Sequence, residues 1–256
     1  TIGFWYVVEA RLRNMLKWTR IIIFVAIANP ILYLVSIGIG VGSLIDGNSP
    51  VDGVNYLTFL APALLAAAAI QGMLDEVIFP TFQGFKWYKN FFAMNATPLT
   101  GRDIAGGVFF SALIRTIFTV SIYTITLYFF GALKSSTALL VVPTAILAGA
   151  GFGALILALA ALAKKDDFFM MITGRFIMMP LFLFSGTFFP LEQMPIFLQW
   201  IGWISPLWHA TNLGRFLTYG SNVSIGMVAV HLTYMVVMLV VGLFFASRNY
   251  SKRLAK

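Results

Sequence analysis

The sequence contains no cysteine and very little formal charge. The absence of cysteine from all 256 residues excludes a disulfide and a thiolate-bound metal site. Only 10% of the residues are charged, whereas a soluble domain typically carries about 25%. Hydrophobic residues make up 60% of the chain and aromatic residues 16%. This composition indicates a membrane protein.

The motifs of common enzyme classes are missing as well. No G-x-x-x-x-G-K-[ST] loop is present, so the chain has no means of cradling the phosphates of ATP. The only histidines, His209 and His231, lack an H-E-x-x-H context and cysteine partners, and we predict no metal site. An intramembrane enzyme needs clustered acid, base or metal ligands within its apolar segments, and none occur here. We therefore predict that the chain is not an enzyme and holds no cofactor of its own.

Long intervals without charge define six predicted spans, because a helix needs about 20 apolar residues to cross the hydrocarbon core. They are residues 21–45, 53–74, 104–133, 135–163, 168–191 and 216–247, the last entering the membrane near residue 225. Only Arg115 and Arg175 interrupt them. Ala145, Gly149 and Gly153 recur every four residues and predict close helix packing. Residues 1–256 are thus expected to form one all-α polytopic membrane domain.

The distribution of basic residues predicts that both chain ends are cytoplasmic. The ends carry Arg11, Arg13, Lys17, Arg20, Arg248, Lys252, Arg253 and Lys256, and the predicted inner loops carry Lys86, Lys89, Arg102, Lys164 and Lys165. The predicted outer loops contain only Lys134 and Arg215 as cations, beside Asp46, Asp52 and Glu192. An even number of spans in the inner (plasma) membrane of a cell satisfies this asymmetry. The net charge of +8 is therefore a topology signal, and we predict no nucleic-acid partner.

The first 20 residues predict an amphipathic helix that lies in the cytoplasmic interface like an elbow before span 1. One face contains Trp5, Val8, Leu12 and Leu16, and another contains Glu9, Arg13, Lys17 and Arg20. Trp and Phe interleaved with Arg and Lys suit such a position. A plain solubilising N-terminus is the alternative.

Residues 81–103, the coupling loop, are the longest predicted cytoplasmic connection and contain a helix-capable core at residues 87–96. A short helix rich in aromatic residues is costly in water, so we expect it to dock into a partner's groove. The docking candidates are Trp87, Tyr88, Lys89, Asn90, Phe91, Phe92 and Met94. Alternatively, the aromatic residues lie on lipid or on the base of the bundle. Asp166 and Asp167 follow Lys164 and Lys165 in the next inner turn, which is expected to be solvated and self-neutralising.

Polar residues at near-helical spacing mark one face of predicted span 3. They are Ser111, Arg115, Thr119, Tyr123 and Thr126. An arginine at the centre of a span costs about 2.5–3.5 kcal/mol, so Arg115 is expected to face protein or water. At the predicted end of span 2, one of Asp75 and Glu76 is expected to cap the helix and the other to pair with a cation. The face either lines a translocation cavity or gate, or Arg115 forms an internal ion pair that only stabilises the bundle.

Prolines divide the uncharged residues 193–214 into pieces too short to cross a membrane. We therefore predict that residues 190–222, the outer hairpin, form a re-entrant helical hairpin that faces outward before the last span. Its candidate residues are Pro195, Pro206, Trp208, His209 and Arg215. Trp200, Trp203 and Trp208 are expected to anchor it at the interface, and Arg215 to reach outer headgroups or solvent. The hairpin acts either as an outer gate or as a structural plug.

The segments "KWYKNFFAMNATPLTGRDI" and "FFPLEQMPIFLQWIGWISPLWHATNLGR", after the acidic pair Asp75 and Glu76, resemble the membrane subunit of type-2 (ABC-2) exporters among the ABC transporters. They are similar to the branch with daunorubicin-type drug exporters and nodulation lipo-oligosaccharide exporters. The resemblance implies an elbow helix, six spans, a coupling helix between spans two and three, and a re-entrant hairpin before span six. It also implies two permease halves and two nucleotide-binding subunits that hydrolyse ATP.

The residues and the resemblance together predict a permease subunit that exports a hydrophobic or amphipathic substrate by alternating access. The expected partners are an ABC nucleotide-binding (ATPase) subunit, which holds ATP and Mg, a second permease copy or homologue, and the lipid membrane. The scarcity of buried charge favours a drug, a lipid or a lipid-linked glycan as cargo. A polysaccharide-exporting permease and a non-transporting assembly or sensor subunit are the alternatives.

Overall fold

Six apolar helices dominate the structure. The computed structural model describes residues 3–45, 51–133 and 136–255. The helices long and apolar enough to cross a membrane are span 1 at Thr19–Ile45, span 2 at Tyr56–Trp87, span 3 at Gly101–Phe129, span 4 at Thr137–Ala160, span 5 at Asp166–Phe184 and span 6 at Ile225–Leu254. The prediction of an all-α protein with six spans is confirmed. Asp46, Lys134 and Lys256, which entered the charge argument, lie outside the described residues.

Shorter helices occupy the three segments outside the spans for which the sequence predicted helices. The N-terminal helix is Gly3–Leu16, the coupling loop contains Asn90–Asn95, and the outer hairpin contains Ile196–Ile204 and Pro206–Tyr219. The elbow position of the first helix in the membrane interface stays a prediction. Val7 and Val8 on this helix are buried, and a side chain at Gly107 of span 3 would collide with Val7, so the two helices pack closely.

Span 2 is longer than the sequence predicted. Its expected end at Leu74 is wrong, because the helix continues through Pro80 to Trp87 and places Asp75 and Glu76 well inside it. Proline has no N–H, so the carbonyl of Glu76 one turn earlier loses its helical donor. Nη2 of Arg11 lies 3.4 Å from that carbonyl oxygen and donates to it. A side chain from the N-terminal helix thus satisfies the backbone where the proline interrupts it.

Spans 2, 4 and 6 form the centre of the molecule and touch through glycines. A Cβ atom at Gly149 of span 4 would lie 2.7 Å from the backbone oxygen of Ala69 in span 2. One at Gly153 would lie 2.9 Å from Met73 of the same span. On the opposite side, a Cβ atom at Gly242 of span 6 would lie 2.6 Å from the backbone nitrogen of Leu155. These contacts confirm the close packing predicted from the four-residue spacing.

Replacing Gly149 with alanine is expected to lower the free energy of unfolding by about 1–3 kcal/mol, because spans 2 and 4 must move apart. Gly226→Ala is the matched control in span 6, since only the Ser224 hydroxyl lies near its added methyl group, at 3.9 Å. Unfolding in mixed detergent micelles measures both variants. Equal effects at the two positions would show that the backbone contact at Gly149 does not determine stability.

Spans 1 and 5 lie at the periphery of the bundle. In an 18-residue apolar window, 78% of the residues of span 2 are buried, against 22% in span 1 and 11% in span 5. Span 6 also has only 22% of its window buried, but it packs closely on span 4 at Gly151 and Gly242. Both peripheral spans contain a π-helical stretch, at Leu34–Val41 and at Ile172–Met178. Wider helical turns of this kind shift the side chains that follow them and often occur at functional sites. Between these two spans and spans 2 and 3 lies a row of cavities.

Candidate functional site

The candidate site begins with an exposed face of span 2. Gln71, Asp75 and Phe79 follow one another at intervals of four residues, which places them on one side of the helix. All three are exposed, although most of this span is buried. An exposed carboxylate at this position in a membrane helix must face water or another polar group, because hydrocarbon cannot solvate it.

Glu76, the neighbour of Asp75, is enclosed by two arginines. Nη1 of Arg115 on span 3 pairs with Oε1, and Nη2 of Arg11 lies 3.4 Å from Oε2. Arg11 also donates from Nε to the Ser111 hydroxyl at 2.6 Å. Burial lowers the pKa of Arg11 to about 10, which still leaves it protonated at neutral pH. This network connects the N-terminal helix, span 2 and span 3 through a single carboxylate.

The structure separates the roles expected for the acidic pair. Glu76 pairs with a cation, as predicted, and its partner Arg115 does form the internal ion pair that was one of the two hypotheses. The predicted capping role is wrong for Asp75, because the helix continues beyond it. Asp75 accepts a hydrogen bond from Nε2 of Gln71 at 2.9 Å. Among the described residues, no cation lies within ion-pair distance of Asp75.

Four neighbouring cavities extend from this cluster along the spans. The largest, about 580 Å³, lies at the N-terminal helix and is lined by Arg11, Trp18, Asp75, Glu76, Phe79 and Arg115, among others. Cavities of about 170 Å³ and 140 Å³ share Gln71 and Asp75 as lining residues. The fourth, about 260 Å³, shares Gln71 with them and reaches Tyr33 and Phe182. Shared walls make these four spaces one row between spans 1, 2, 3 and 5.

The residues of the predicted polar face of span 3 lie in two environments, some in a cavity wall and one in the core. Arg115, Thr119 and Tyr123 line the cavity of about 170 Å³. Ser111 is fully buried and bonded to Arg11 instead. Sequence reasoning missed Asn29 of span 1 and Gln71 of span 2, which each line more than one cavity. An amide side chain in the middle of an apolar stretch was the signal that could have identified each of them.

The coupling loop differs from its predicted helix at residues 87–96. Trp87 ends span 2, Lys89 adopts a left-handed backbone conformation with φ of 53°, and the helix begins only at Asn90. A non-glycine residue in that conformation reverses the chain direction and separates the two helices. Nε1 of the Trp87 indole donates to Oδ2 of Asp166 at 2.7 Å.

Asp166 therefore does not belong to a solvated, self-neutralising turn, and this prediction is wrong. Its side chain is 11% exposed and pairs with Lys86 of the coupling loop rather than with Lys164 or Lys165. The bonds to Lys86 and Trp87 connect the start of span 5 to the end of span 2. A buried carboxylate needs such partners because its desolvation is otherwise costly.

The candidate docking residues fall into two groups. Phe91 is 3% exposed and packs against Phe85 and Tyr250, in a space that exists because residue 84 is glycine. Met94 is half-buried. The remaining candidates are exposed: Trp87, Tyr88, Lys89, Asn90 and Phe92. Phe91 thus holds the short helix on the bundle, while the exposed residues form an outward surface.

Two prolines shape the outer hairpin as predicted. Pro195 immediately precedes the first hairpin helix, and Pro206 is the first residue of the second. Ser205 between the helices accepts a hydrogen bond from the Leu207 N–H at 3.2 Å. A proline at a first helical position loses no helical hydrogen bond, which favours a helix start there. The depth of this hairpin in a membrane stays a prediction.

Two expectations for the outer hairpin are wrong. Arg215 is 5% exposed and does not reach solvent; it donates to the carbonyls of Gly186 at 2.7 Å and Phe59 at 3.3 Å, with its guanidinium 3.6 Å from the Phe59 ring centre. The chain leaves helical geometry at Gly186, so the carbonyl there needs a donor. Burial lowers the pKa of Arg215 to about 10, and it remains protonated at neutral pH. Trp208 is also buried, at 9% exposure, whereas Trp200 and Trp203 are exposed as expected.

The structure also brings together two histidines that the sequence treated separately. Nδ1 of His209 and Nδ1 of His231 are 2.7 Å apart, and Nε2 of His209 lies 3.1 Å from the Trp203 carbonyl. A carbonyl only accepts, so Nε2–H of His209 donates to it and its Nδ1 accepts from His231. Burial lowers the pKa of His209, which favours this neutral pair. Among the described residues, no three metal-ligating side chains converge.

Comparison with known proteins gives a family match over most of the chain. The model of the ABC-2 type transporter family matches residues 3–219. "Nodulation protein J" of Rhizobium leguminosarum bv. viciae is 28% identical over 247 residues, which cover 95% of this chain and 93% of the relative. "Nodulation protein J" of Neorhizobium galegae is 31% identical over 79% of this chain and 77% of its own length. "Inner membrane transport permease YadH" of Escherichia coli (strain K12) is 24% identical over 75% and 73%.

Proposed function

The chain belongs to the ABC-2 type transporter family, and from this premise we propose that it exports a hydrophobic or amphipathic substrate by alternating access, driven by ATP hydrolysis on a separate subunit. Members of this family are membrane permease subunits and not themselves the ATPase. Six apolar helices and the family match make the chain an integral membrane protein. We place it in the inner (plasma) membrane with both ends in the cytoplasm, because basic residues concentrate in the segments that this orientation puts inside.

The row of cavities is the observation that carries this proposal. Charged and amide side chains line it at positions inside the spans: Asn29, Gln71, Asp75 and Arg115. Such groups are costly in hydrocarbon and typically face a substrate pathway or a protein partner. The cavities also lie beside spans 1 and 5. Like span 6, these two spans have few buried residues. Movement of these two spans against the body would open the row to either side in turn.

The partners follow from the exposed surfaces. An ABC ATPase subunit, which would hold ATP and Mg, docks on Tyr88, Lys89, Asn90 and Phe92 of the coupling loop. A second permease copy or homologue packs on the exposed apolar faces of spans 1 and 5. Force from the ATPase then reaches the bundle through Phe91 and through the bonds of Lys86 and Trp87 to Asp166.

Tyr88→Ala is expected to reduce ATPase activity of the assembled complex about tenfold, because Tyr88 is 74% exposed and central to the proposed docking surface. Tyr128→Ala is the matched control, since Tyr128 is 68% exposed at the other end of span 3. Copurification of the chain with its ABC ATPase subunit, followed by ATP hydrolysis in nanodiscs, measures the effect. Equal activity of the two variants would contradict docking at Tyr88.

The proposal as a whole is tested by transport in inside-out membrane vesicles that contain this chain and its ATPase. ATP is expected to drive accumulation of a cargo identified from what stimulates hydrolysis, and an ATPase subunit with an inactivated P-loop lysine is expected to abolish it. A complex that binds and hydrolyses ATP without moving any stimulating compound would instead identify a non-transporting assembly or sensor subunit.

A further inference from the structure

Among the described carboxylates that line the row of cavities, Asp75 is the one that forms no ion pair with an arginine. Nη1 of Arg115 and Nη2 of Arg11 both engage Glu76, and Nε of Arg11 engages Ser111. Asp75 receives a single described hydrogen bond, from the neutral amide of Gln71. Its second carboxylate oxygen therefore faces the cavities with no described donor. A charge at membrane depth without an ion-pair partner favours a ligand that supplies one.

The surroundings of Asp75 are those of a binding site for a cation with an apolar tail. Trp18 and Phe79 line the largest cavity beside Asp75, and Tyr123 lines the adjoining one. Aromatic faces attract ammonium groups through their quadrupole, and they accept apolar chains equally well. The cavity of about 580 Å³ is within the size range of sites for small organic ligands.

Two buried hydroxyls give an independent indication that a polar ligand fits here. Thr116 Oγ1, on a residue 1% exposed, lines the cavity of about 170 Å³, and Thr173 Oγ1, on a residue 2% exposed, lines the one of about 140 Å³. Neither hydroxyl has a hydrogen-bond partner among the described residues. Buried polar groups are normally satisfied, so unpartnered hydroxyls in cavity walls point to a bound molecule or to water. Asp75 lines both of these cavities.

We propose that Asp75 binds the protonated amine or quaternary ammonium group of an amphipathic substrate, with the apolar part of that substrate lying along the aromatic walls. This inference rests on the proposed export function and assigns its substrate class. Asp75 is then the specificity-determining residue, while Glu76 is the carboxylate that pairs with Arg11 and Arg115. An anionic substrate is disfavoured because both guanidinium groups are already paired.

The test uses three amphiphiles with the same fluorescent tail and different heads: trimethylammonium, its uncharged tert-butyl isostere, and sulfonate. Binding is measured without ATP to the complex of the chain with its ATPase in neutral-lipid nanodiscs. The ammonium probe is expected to bind about tenfold more tightly than the neutral isostere. Asp75→Asn is expected to remove this preference, and Asp75→Glu to keep it. Asp167→Asn, which changes an exposed carboxylate outside the cavities, is the control and should keep the preference.

A second measurement on the unmodified chain covers the case in which Asp75→Asn fails to assemble. Carbodiimide labelling of Asp75, followed by mass spectrometry, is expected to be blocked by the ammonium probe and not by the neutral one. Equal binding or equal protection by the two probes, or preference for sulfonate, overturns the inference. ATP hydrolysis in the same sample separates the two proposals: an assembled, active complex that does not discriminate the probes refutes only the role of Asp75.

Discussion

Glu76→Gln is expected to lower the free energy of unfolding by about 3 kcal/mol, because it leaves two guanidinium groups without their shared carboxylate. The glutamine keeps the shape of the side chain and removes only its charge. The side chains of Glu76 and Arg11 are 13% and 17% exposed and that of Arg115 is 31% exposed, so water compensates only part of the loss. The N-terminal helix depends on this contact as well, since Arg11 also supplies the donor for the carbonyl freed by Pro80. We therefore expect that helix to detach first.

A variant that removes only one of the two arginines tests whether Glu76 is the shared centre of the network. Arg115→Met leaves Glu76 paired with Arg11, so the expected loss is smaller, about 1 kcal/mol. Asp167→Asn makes the same carboxylate-to-amide change at an exposed site and is expected to have no measurable effect. Unfolding in mixed detergent micelles ranks the three variants. A loss for Arg115→Met as large as that for Glu76→Gln would mean that Glu76 is not the shared centre of the network.

The membrane spans could be predicted because the cost of a charge in hydrocarbon is a local property of the sequence. Gaps between charged residues therefore located all six helices, and prolines located the break within the outer hairpin. The predicted end of span 2 was wrong, because residues from other helices pair with a charge that the sequence alone places in hydrocarbon. Arg11 and Arg115 pair with Glu76, and Gln71 donates to Asp75, so the helix continues past both carboxylates.

Two of the polar pairs could not be predicted, because each joins residues from separate helices. Arg11 and Glu76 are 65 positions apart, and the histidines of the outer hairpin and span 6 are 22 apart with no motif between them. Composition marks such residues as exceptional in an apolar chain but does not give the partner. The choice between a pathway face and an ion pair on span 3 was therefore open in the sequence. In the structure Arg115 pairs with Glu76 and also lines a cavity, and the pathway role of that cavity stays a prediction.

Arg215→Met is expected to cost about 3–5 kcal/mol of folding free energy, because backbone carbonyls on two other segments lose a charged donor while the apolar stem is kept. Arg215 joins the carbonyl of Phe59 in span 2 to that of Gly186 after span 5, so its fork holds three parts of the chain together. Arg215→Lys is expected to recover less than half of the loss, since one ammonium lacks the planar fork that reaches both. Arg175→Met is the matched control, because Arg175 is exposed on span 5.

The absence of cysteine from the chain allows a local measurement of the same prediction. A single Leu207→Cys substitution places a thiol on the second hairpin helix at a residue that is 1% exposed. Maleimide is expected to label it slowly when Arg215 is present and at least tenfold faster with Arg215→Met, because the hairpin helix separates from spans 2 and 5. With Arg175→Met the labelling rate should stay unchanged. If the Arg215→Met variant is as stable as the original chain and its thiol is labelled no faster, the buried guanidinium does not hold the hairpin. The histidine pair with span 6 must then be the principal attachment of the hairpin.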